Sequence, residues 1–340
     1  MKKTTLFIML VICACICANA QSSEKTDLVE KVDSVKIEPL TGFAADEKML
    51  DDALIATQAE TLRDDRIGSN AKFIPQMVEV LKKPGSFDYA FEKIQGMSAL
   101  YAPDKSFRIF TWALPLADTL PVAKKSRLRE KFGYRYFGAI QINTGDEQLK
   151  LIPLTDRSTE LYGMGVEEMI LTNKDWFGCV YYNITMNEHN GIKYYSLFGW
   201  DGNNNFTSTI KIADVLTFDD QGNAVFGAPI FEIKREKLLV VRNRILLQYK
   251  KSSTVSLNYV PEKEMIIYDF IEPETPEARG NYNLYIPDGT YEALKFEKGI
   301  WAYQKRAFNE VSKSPLKLEE SAVSNDSNVK KKKKRRKKRK

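Results

Sequence analysis

In the first third of the chain, apolar residues recur every three to four positions, which is the spacing of an amphipathic helix. The first such run reaches from about Ala44 to Arg66. The second follows a possible Ser69-Asn70 cap and ends at Lys82-Lys83-Pro84-Gly85, and the third starts at Ser86. We therefore expect a helical segment over residues 43–97 whose apolar stripes face a core.

From about Ser106 the apolar residues alternate with polar ones, which is typical of strands. Turn residues such as His189-Asn190-Gly191 and Gln221-Gly222-Asn223 separate the runs. No intervening helix is long enough for a parallel crossover, which favours an antiparallel sandwich or open barrel over residues 105–306. The expected strands are Ser106–Ala113, Gly133–Asn143, Gln148–Pro153, Glu167–Thr172, Trp176–Met186, Ile192–Trp200, Ile210–Leu216, Ala224–Ile233, Leu238–Tyr249, Thr254–Val260, Glu264–Ile271 and Gly299–Arg306.

These patterns predict an α+β fold, mostly an antiparallel β meander, with a helical segment at its N-terminus. The strand region is interrupted at Leu120–Lys131, where five basic residues accompany a predicted short helix. Residues 21–42 and 307–340 are polar and aperiodic. We expect a flexible leader in the first of these stretches, and a disordered linker with a basic tail in the second.

Residues 1–20 have the three parts of a secretory signal peptide. A basic start at Lys2-Lys3 precedes an apolar run that ends at Cys17, and Ala18-Asn19-Ala20 matches a cleavage site before Gln21. The apolar run is too short to span a membrane. We expect export to the periplasm or cell surface after cleavage near Ala20/Gln21, with a lipoprotein signal at Ile12-Cys13-Ala14-Cys15 as the alternative.

The cysteines also fit an exported chain that relies on its core. Cys13, Cys15 and Cys17 lie in the expected signal peptide, so cleavage would leave Cys179 alone. The mature chain could then form no internal disulfide, and buried apolar surface would have to supply its stability.

The positive charge of the chain is concentrated at its C-terminus. Residues 21–329 include 38 basic and 45 acidic residues, a net charge of −7, whereas all 11 residues that follow are cationic. Such a run binds polyanions with a steep salt dependence, and the partners we expect are anionic envelope lipids or other polyanions; an incidental solubilising tail is the alternative. The expected polyanion-binding residues are Lys330, Lys331, Lys332, Lys333, Lys334, Arg335, Arg336, Lys337, Lys338, Arg339 and Lys340.

The scarcity of cysteine and histidine argues against several kinds of catalytic centre. Cys179 and His189 are the only such residues in the expected mature chain. On one regular strand they would lie about 33 Å apart, which is too far for a catalytic pair. We expect Cys179 to be buried and inert and His189 to be exposed in a turn. A Ser-His-Asp triad and a His-rich zinc site are therefore not expected.

No sequence motif predicts a cofactor or a metal ion. Asp201-Gly202-Asn203-Asn204-Asn205 begins like a calcium loop, but Phe206 and Ile212 stand where such a loop requires Gly and Glu. The glycine-rich loops that bind nucleotide phosphates do not occur. We therefore assign no catalytic, cofactor-binding or metal-binding residue.

Carboxylates at strand ends leave one enzymatic alternative. A glycosidase needs two carboxyl groups about 5 to 10 Å apart, and aromatic platforms often line its groove. Trp176, Trp200 and Trp301 are possible platforms. The candidate carboxylates are Asp175, Asp201, Asp219, Asp220, Asp269 and Glu272.

One stretch of the strand region also carries a resemblance. The run YYSLFGWDGNNN, continued by TIKIADVLTFDDQGNAVFGAPIF, is preceded by SFRIFTW and followed by MIIYDFIEP. In strand pattern and aromatic-Gly-Trp-Asp phrasing, residues 95–275 resemble a group of uncharacterised exported proteins of Gram-negative bacteria. The resemblance implies a β-rich exported domain and brings no activity with it.

The function that these observations predict is an exported, non-enzymatic binding or structural module. Two alternatives stay open: a carbohydrate-active hydrolase that uses an Asp/Glu pair, and an envelope protein held by its polybasic tail.

Overall fold

The computed structural model describes residues 41–118, 133–203, 207–235 and 238–304, which form helices and three stacked sheets. The helices are α1 (Gly42–Ala59), α2 (Arg63–Leu81) and α3 (Ser158–Leu161). The strands are β1 (Met97–Tyr101), β2 (Phe107–Pro115), β3 (Tyr134–Ile142), β4 (Lys150–Thr155), β5 (Leu171–Thr172), β6 (Val180–His189), β7 (Ile192–Asp201), β8 (Ser208–Phe218), β9 (Ala224–Phe226), β10 (Phe231–Arg235), β11 (Leu238–Arg242), β12 (Ile245–Lys250), β13 (Leu257–Val260), β14 (Met265–Pro273), β15 (Tyr285–Glu297) and β16 (Ile300–Tyr303). The prediction of a mostly antiparallel α+β fold is confirmed, and the sheets are open.

The pair α1–α2 covers the outer face of the first sheet, whose strand order is β1-β2-β3-β4. Phe110 and Trp112 of β2 are buried in one cluster with Leu54 and Phe73 of the helices. Because side chains alternate along a strand, Ile109 points the other way and joins the core between the first and middle sheets. The helices and the first sheet therefore share a core.

The middle sheet is built around β8. Its strand order is β5-β9-β8-β7-β6, and β12 pairs with β8 as well. One edge of β8 pairs with β7, while its other edge pairs with β12 in the first half and β9 in the second half. Leu197 and Ile212 face the first sheet, whereas Phe198 and Ala213 face the third. Both faces of this sheet are therefore buried and apolar.

The third sheet has the order β11-β10-β16-β15-β14-β13. Its central strand β16 pairs antiparallel with β15 and parallel with β10, where Phe231 lies opposite Trp301. The fully buried Trp301 donates a hydrogen bond from Nε1 to Ser196 Oγ of the middle sheet at 3.0 Å. This bond and the apolar cluster around it join the two sheets.

The boundary between the two helices differs from the prediction. The break lies at residues 60–62, not after Arg66. The buried Arg66 donates hydrogen bonds to the carbonyl oxygens of Glu60 and Pro115, so its side chain satisfies carbonyl groups at the break and on the first sheet. A long-range contact of this kind is not visible in the local pattern.

The predicted third helix from Ser86 to Ile94 is wrong: only a short 3-10 turn forms, at Ser86–Asp88. The buried Arg108 of β2 donates hydrogen bonds to the carbonyl oxygens of Ser86 and Tyr89. The amide of Lys93, which would bond Tyr89 in a helix, donates to Glu47 Oε1 at 2.7 Å instead. Side chains from other elements therefore replace the helical bonds.

Several predicted strands have different limits. Ala224–Ile233 is split into β9 and β10, and Leu238–Tyr249 into β11 and β12, which belong to different sheets. Residues 176–179 lie before β6, and Glu167–Thr172 contributes only the short β5. β1 and β15 have no counterpart among the predicted strands.

Several sequence predictions lie outside the described residues. These are the signal peptide, most of the leader, the short helix at Leu120–Lys131 and the C-terminal linker and tail. No helix in the described part of the chain combines the length and apolar character needed to cross a bilayer.

Candidate functional site

A cleft of about 340 Å³ is lined by residues of the middle and third sheets and by the loop that follows α3. We call it the tyrosine cleft. Its lining residues are Tyr162, Gly163, Gly165, Val166, Glu167, Phe177, Ile210, Leu246, Gln248, Ile271, Tyr282 and Tyr285.

The cleft combines a buried apolar interior with an exposed aromatic rim. Phe177 and Ile210 are almost completely buried, whereas Tyr162 is 45% and Tyr282 51% exposed. The rings of Tyr282 and Tyr285 lie 4.8 Å apart between centroids, at an interplanar angle of 40°. An aromatic side chain that is half-exposed at a cavity mouth can contact both the apolar and the polar parts of a ligand.

Gln248 joins three segments of the chain that surround the cleft. Its Oε1 accepts a hydrogen bond from the Tyr162 hydroxyl at 2.9 Å. Its Nε2 donates to Ser208 Oγ at 2.9 Å and to Asn283 Oδ1 at 3.0 Å. The three bonds fix the amide orientation and hold Tyr162 at the rim, so part of the polar wall is formed without a ligand.

The buried Arg244 anchors the loop that forms another wall of the cleft. Its guanidinium donates to the carbonyl oxygens of Val166, Met169 and Phe226, and its Nε lies 3.2 Å from Asp214 Oδ1. Both side chains of this ion pair are fully buried. Since Val166 lines the cleft, the ion pair lies directly behind that wall.

Burial raises the pKa of Asp214, and the charge of Arg244 together with hydrogen bonds from Arg244 and the Val215 amide opposes that rise. Asp214 Oδ2 has no hydrogen-bond partner among the described residues. The carboxylate is therefore poorly solvated and depends on Arg244. Removing one partner of a buried pair typically costs about 3 to 5 kcal/mol.

None of the candidate carboxylates identified in the sequence lines the tyrosine cleft. Asp201 is buried against Tyr136, and Asp269 accepts a hydrogen bond from the Ser256 amide. Asp175 accepts from Thr172, and Asp219 from the turn residues that follow it. Asp220 and Glu272 are exposed. Each of the four hydrogen-bonded carboxylates thus stabilises local structure.

The tryptophans proposed as sugar platforms are mostly unavailable. Trp176 and Trp301 are fully buried, so that expectation is wrong for both. Trp200 is half-buried, and its ring packs edge-on against Tyr134 at 5.2 Å. The described aromatic rings that reach the cleft are one phenylalanine and three tyrosines.

Cys179 is fully buried, as expected, and burial raises the pKa of its thiol well above the usual range. His189 is half-buried at the end of β6, not exposed in the turn. It lies beside Gly299, where an added Cβ would come within 2.5 Å of the imidazole. The close approach of the two chains explains why a glycine occupies this position.

The start of the calcium-like loop is held by protein groups. Asp201 Oδ1 accepts a hydrogen bond from the Tyr136 hydroxyl and another from the Asn203 amide, both at 2.7 Å. Asn204, Asn205 and Phe206 lie outside the described residues. In the described ranges, no group of three or more His, Cys, Asp or Glu residues could hold a metal ion.

The polyanion-binding residues predicted at 330–340 lie outside the described part of the chain.

The tyrosine cleft itself is not among the sites predicted from the sequence. Its signal is weak: Tyr162, Tyr282 and Tyr285 are aromatic residues at or beyond the ends of the predicted strands, near glycines such as Gly163 and Gly165. Only the stacking of the sheets brings these distant segments together.

A scan against models of protein families gives no match, and searches of curated proteins and of solved structures give none either. The resemblance of residues 95–275 to exported proteins therefore stays an expectation, and the cleft itself has to carry the functional argument.

Proposed function

We propose that this chain is an exported, non-enzymatic binding module and that the tyrosine cleft is its ligand site. The observation that carries the proposal is a cavity with an apolar interior, an exposed aromatic rim and a fixed amide at Gln248. Small-molecule sites have this composition, and about 340 Å³ lies near the lower end of their usual volumes.

The hydrolase alternative receives less support from the same cavity. Glycoside hydrolysis requires two carboxyl groups on opposite sides of the bond to be broken. Among the described residues that line the cleft, Glu167 is the only acid. Binding without turnover is therefore the function that these residues favour.

The test replaces one rim residue and compares it with an equally exposed tyrosine elsewhere. Tyr282→Ala removes a ring that is 51% exposed, and Tyr291→Ala removes a ring of β15 that is 53% exposed and lies outside the cleft lining. Thermal unfolding is followed with neutral disaccharides, dipeptides and octanoate as probes. A bound ligand raises the unfolding temperature by mass action.

We expect at least one of these probes to raise the unfolding temperature of the wild type and of Tyr291→Ala, and to act less on Tyr282→Ala. If no probe acts on the wild type, or if all three proteins respond equally, the cleft is not the site.

Export is proposed on the signal-peptide pattern of residues 1–20. Expression in a Gram-negative host followed by N-terminal sequencing tests it directly. A mature N-terminus at Gln21 in the periplasmic or surface fraction supports the proposal, and an intact Met1 in the cytoplasmic fraction contradicts it.

A second role, attachment to anionic envelope lipids, is favoured by the 11 consecutive cations at the C-terminus. The full chain and a version that ends at Asn328 are fractionated and washed over a salt series. Retention that falls with salt and disappears on truncation supports attachment through the tail. Identical release of both proteins contradicts it.

A further inference from the structure

We propose that the ligand of the tyrosine cleft is a neutral saccharide of one or two rings. The inference rests on the proposed binding function and specifies the chemistry that the lining residues would recognise.

The charge of the lining favours an uncharged ligand. Of the described residues that line the cleft, none is a lysine or an arginine, and Glu167 is the only ionisable acid besides the tyrosines. An anionic ligand would lose its hydration without gaining a cation, and such an unpaired buried charge is strongly unfavourable. Fatty acids, phosphates and uronic acids therefore fit poorly.

The hydrogen bonding favours a ligand that donates protons. The Tyr162 hydroxyl donates its own proton to Gln248 Oε1 at 2.9 Å, so it meets an incoming group as an acceptor. Both protons of the Gln248 amide are directed to Ser208 and Asn283. A sugar hydroxyl can donate to Tyr162 and extend this chain of bonds, and linked hydrogen bonds strengthen one another.

The rings favour a ligand with one apolar face. A pyranose ring presents C–H groups on its face and hydroxyl groups around its edge. The exposed Tyr282, tilted against Tyr285, and the half-buried Leu246 and Ile271 supply apolar surface for the face, while Tyr162 supplies the polar contact for the edge. An acyl chain would match the apolar surface but would leave the polar groups unused.

The experiment is isothermal titration calorimetry of the full mature chain with a panel of neutral disaccharides: maltose, cellobiose, lactose and diacetylchitobiose. Glucuronate, octanoate and the dipeptide Leu-Gly are the contrasting probes. Tyr162→Phe keeps the ring and removes the acceptor, Tyr282→Ala removes a rim ring, and Tyr291→Ala is the matched control, with thermal melting to verify that each variant folds.

We expect one or more of the disaccharides to bind the wild type and Tyr291→Ala equally. Loss of one hydrogen bond should weaken that binding about threefold to tenfold in Tyr162→Phe. Loss of the ring should weaken it at least tenfold in Tyr282→Ala.

The two proposals fail in different ways. If octanoate or Leu-Gly binds in place of every disaccharide and Tyr282→Ala weakens that binding, the saccharide proposal is overturned while the cleft remains a binding site. If no probe binds, or if Tyr282→Ala changes nothing, both proposals are overturned.

Discussion

Asp201 shows how one residue type can serve roles that the sequence does not distinguish. The local pattern makes it a candidate catalytic acid and places it at the start of a run that resembles a calcium loop only in its first residues. The structure buries it against Tyr136, so its carboxylate ties β7 to β3. Burial raises its pKa to about 6, although hydrogen bonds from Tyr136 and the Asn203 amide oppose the rise. Residue type and position were readable from the sequence, but burial was not.

The raised pKa predicts a loss of stability as pH rises. A carboxyl group whose pKa is higher in the folded state stabilises the fold below its unfolded pKa, and the contribution disappears as pH increases from about 4 to about 6. Asp201→Asn keeps an acceptor oxygen and should remove this dependence. At pH 7 the variant should gain at most about 3 kcal/mol of unfolding free energy over the wild type.

Urea unfolding of the wild type and Asp201→Asn between pH 4 and pH 7 measures the effect, with the exposed Asp220→Asn as control. If the unfolding free energies of wild type and Asp201→Asn change in parallel with pH, Asp201 has the same pKa in the folded and unfolded states, and the prediction is wrong.

Asp104 should have the opposite dependence. Partial burial acts to raise the pKa of its carboxyl group, but hydrogen bonds from Lys193, Ser106 and Tyr195 outweigh it and lower the pKa to about 2. Asp104 therefore stabilises the fold above its unfolded pKa, and this contribution is lost as pH falls from about 4 towards 2. Acid unfolding of Asp104→Asn should begin from a lower stability and depend less on pH in that window. An unchanged acid transition would contradict this.

At the scale of elements, the sequence predicts a strand or hairpin well where the hydrophobic period and the turn residues alone determine it. The hairpin β6–β7 turns at Asn190-Gly191, and both glycine and asparagine there have positive φ. The long predicted run Ala224–Ile233 failed because Gly227 has a φ of 95° and an added Cβ would lie 2.8 Å from Arg244 Nη2 and from the Met169 carbonyl oxygen. Gly227 and Pro229 are thus local signals of the break, whereas the assignment of β9 and β10 to different sheets depends on distant residues.

Replacing Arg244 should destabilise the protein, because this residue anchors the loop that forms one wall of the tyrosine cleft. Arg244→Met leaves the buried Asp214 unpaired and removes the donors to three loop and strand carbonyls, so we expect a loss of about 3 to 5 kcal/mol of unfolding free energy. Chemical denaturation measures the loss.

Arg242→Met provides the matched control two residues away. Arg242 is partly exposed and lies 3.2 Å from the exposed Glu168. An ion pair of this kind contributes at most about 1 kcal/mol. Equal losses of unfolding free energy for Arg242→Met and Arg244→Met would show that the buried ion pair stabilises the fold no more than the exposed one.

At the scale of the molecule, the sequence predicted the class of fold but not the order of its layers. Alternating apolar residues identify strands with one buried face, whereas β7 and β8 bury both faces because sheets cover them on each side. Which sheets stack is decided by contacts such as Trp301 to Ser196, across more than 100 residues. The cleft is a product of that stacking, so it could not be foreseen from any single stretch.

The third sheet ends in an apolar edge strand, β11. Leu238, Leu239 and Val241 are 71%, 54% and 44% exposed. Exposed apolar edge strands tend to pair with other chains, and the one charged residue of β11, Arg242, stands at its end. We therefore expect Leu239→Lys to lower self-association at high protein concentration, as measured by light scattering, without a change in unfolding temperature. Unchanged scattering would show that this edge is not the adhesive surface.

The position of β16 has a consequence for when the protein can fold. It is the last described strand in chain order, yet it lies between β10 and β15 in its sheet. During synthesis, the ribosome must have released residues 300–303 before the third sheet can close or Trp301 can seal the core beside the middle sheet. The growing chain thus lacks a finished third sheet until residues 300–303 have been synthesised. For the export that we propose, such a delay keeps the nascent chain in the unfolded state that a secretion channel accepts.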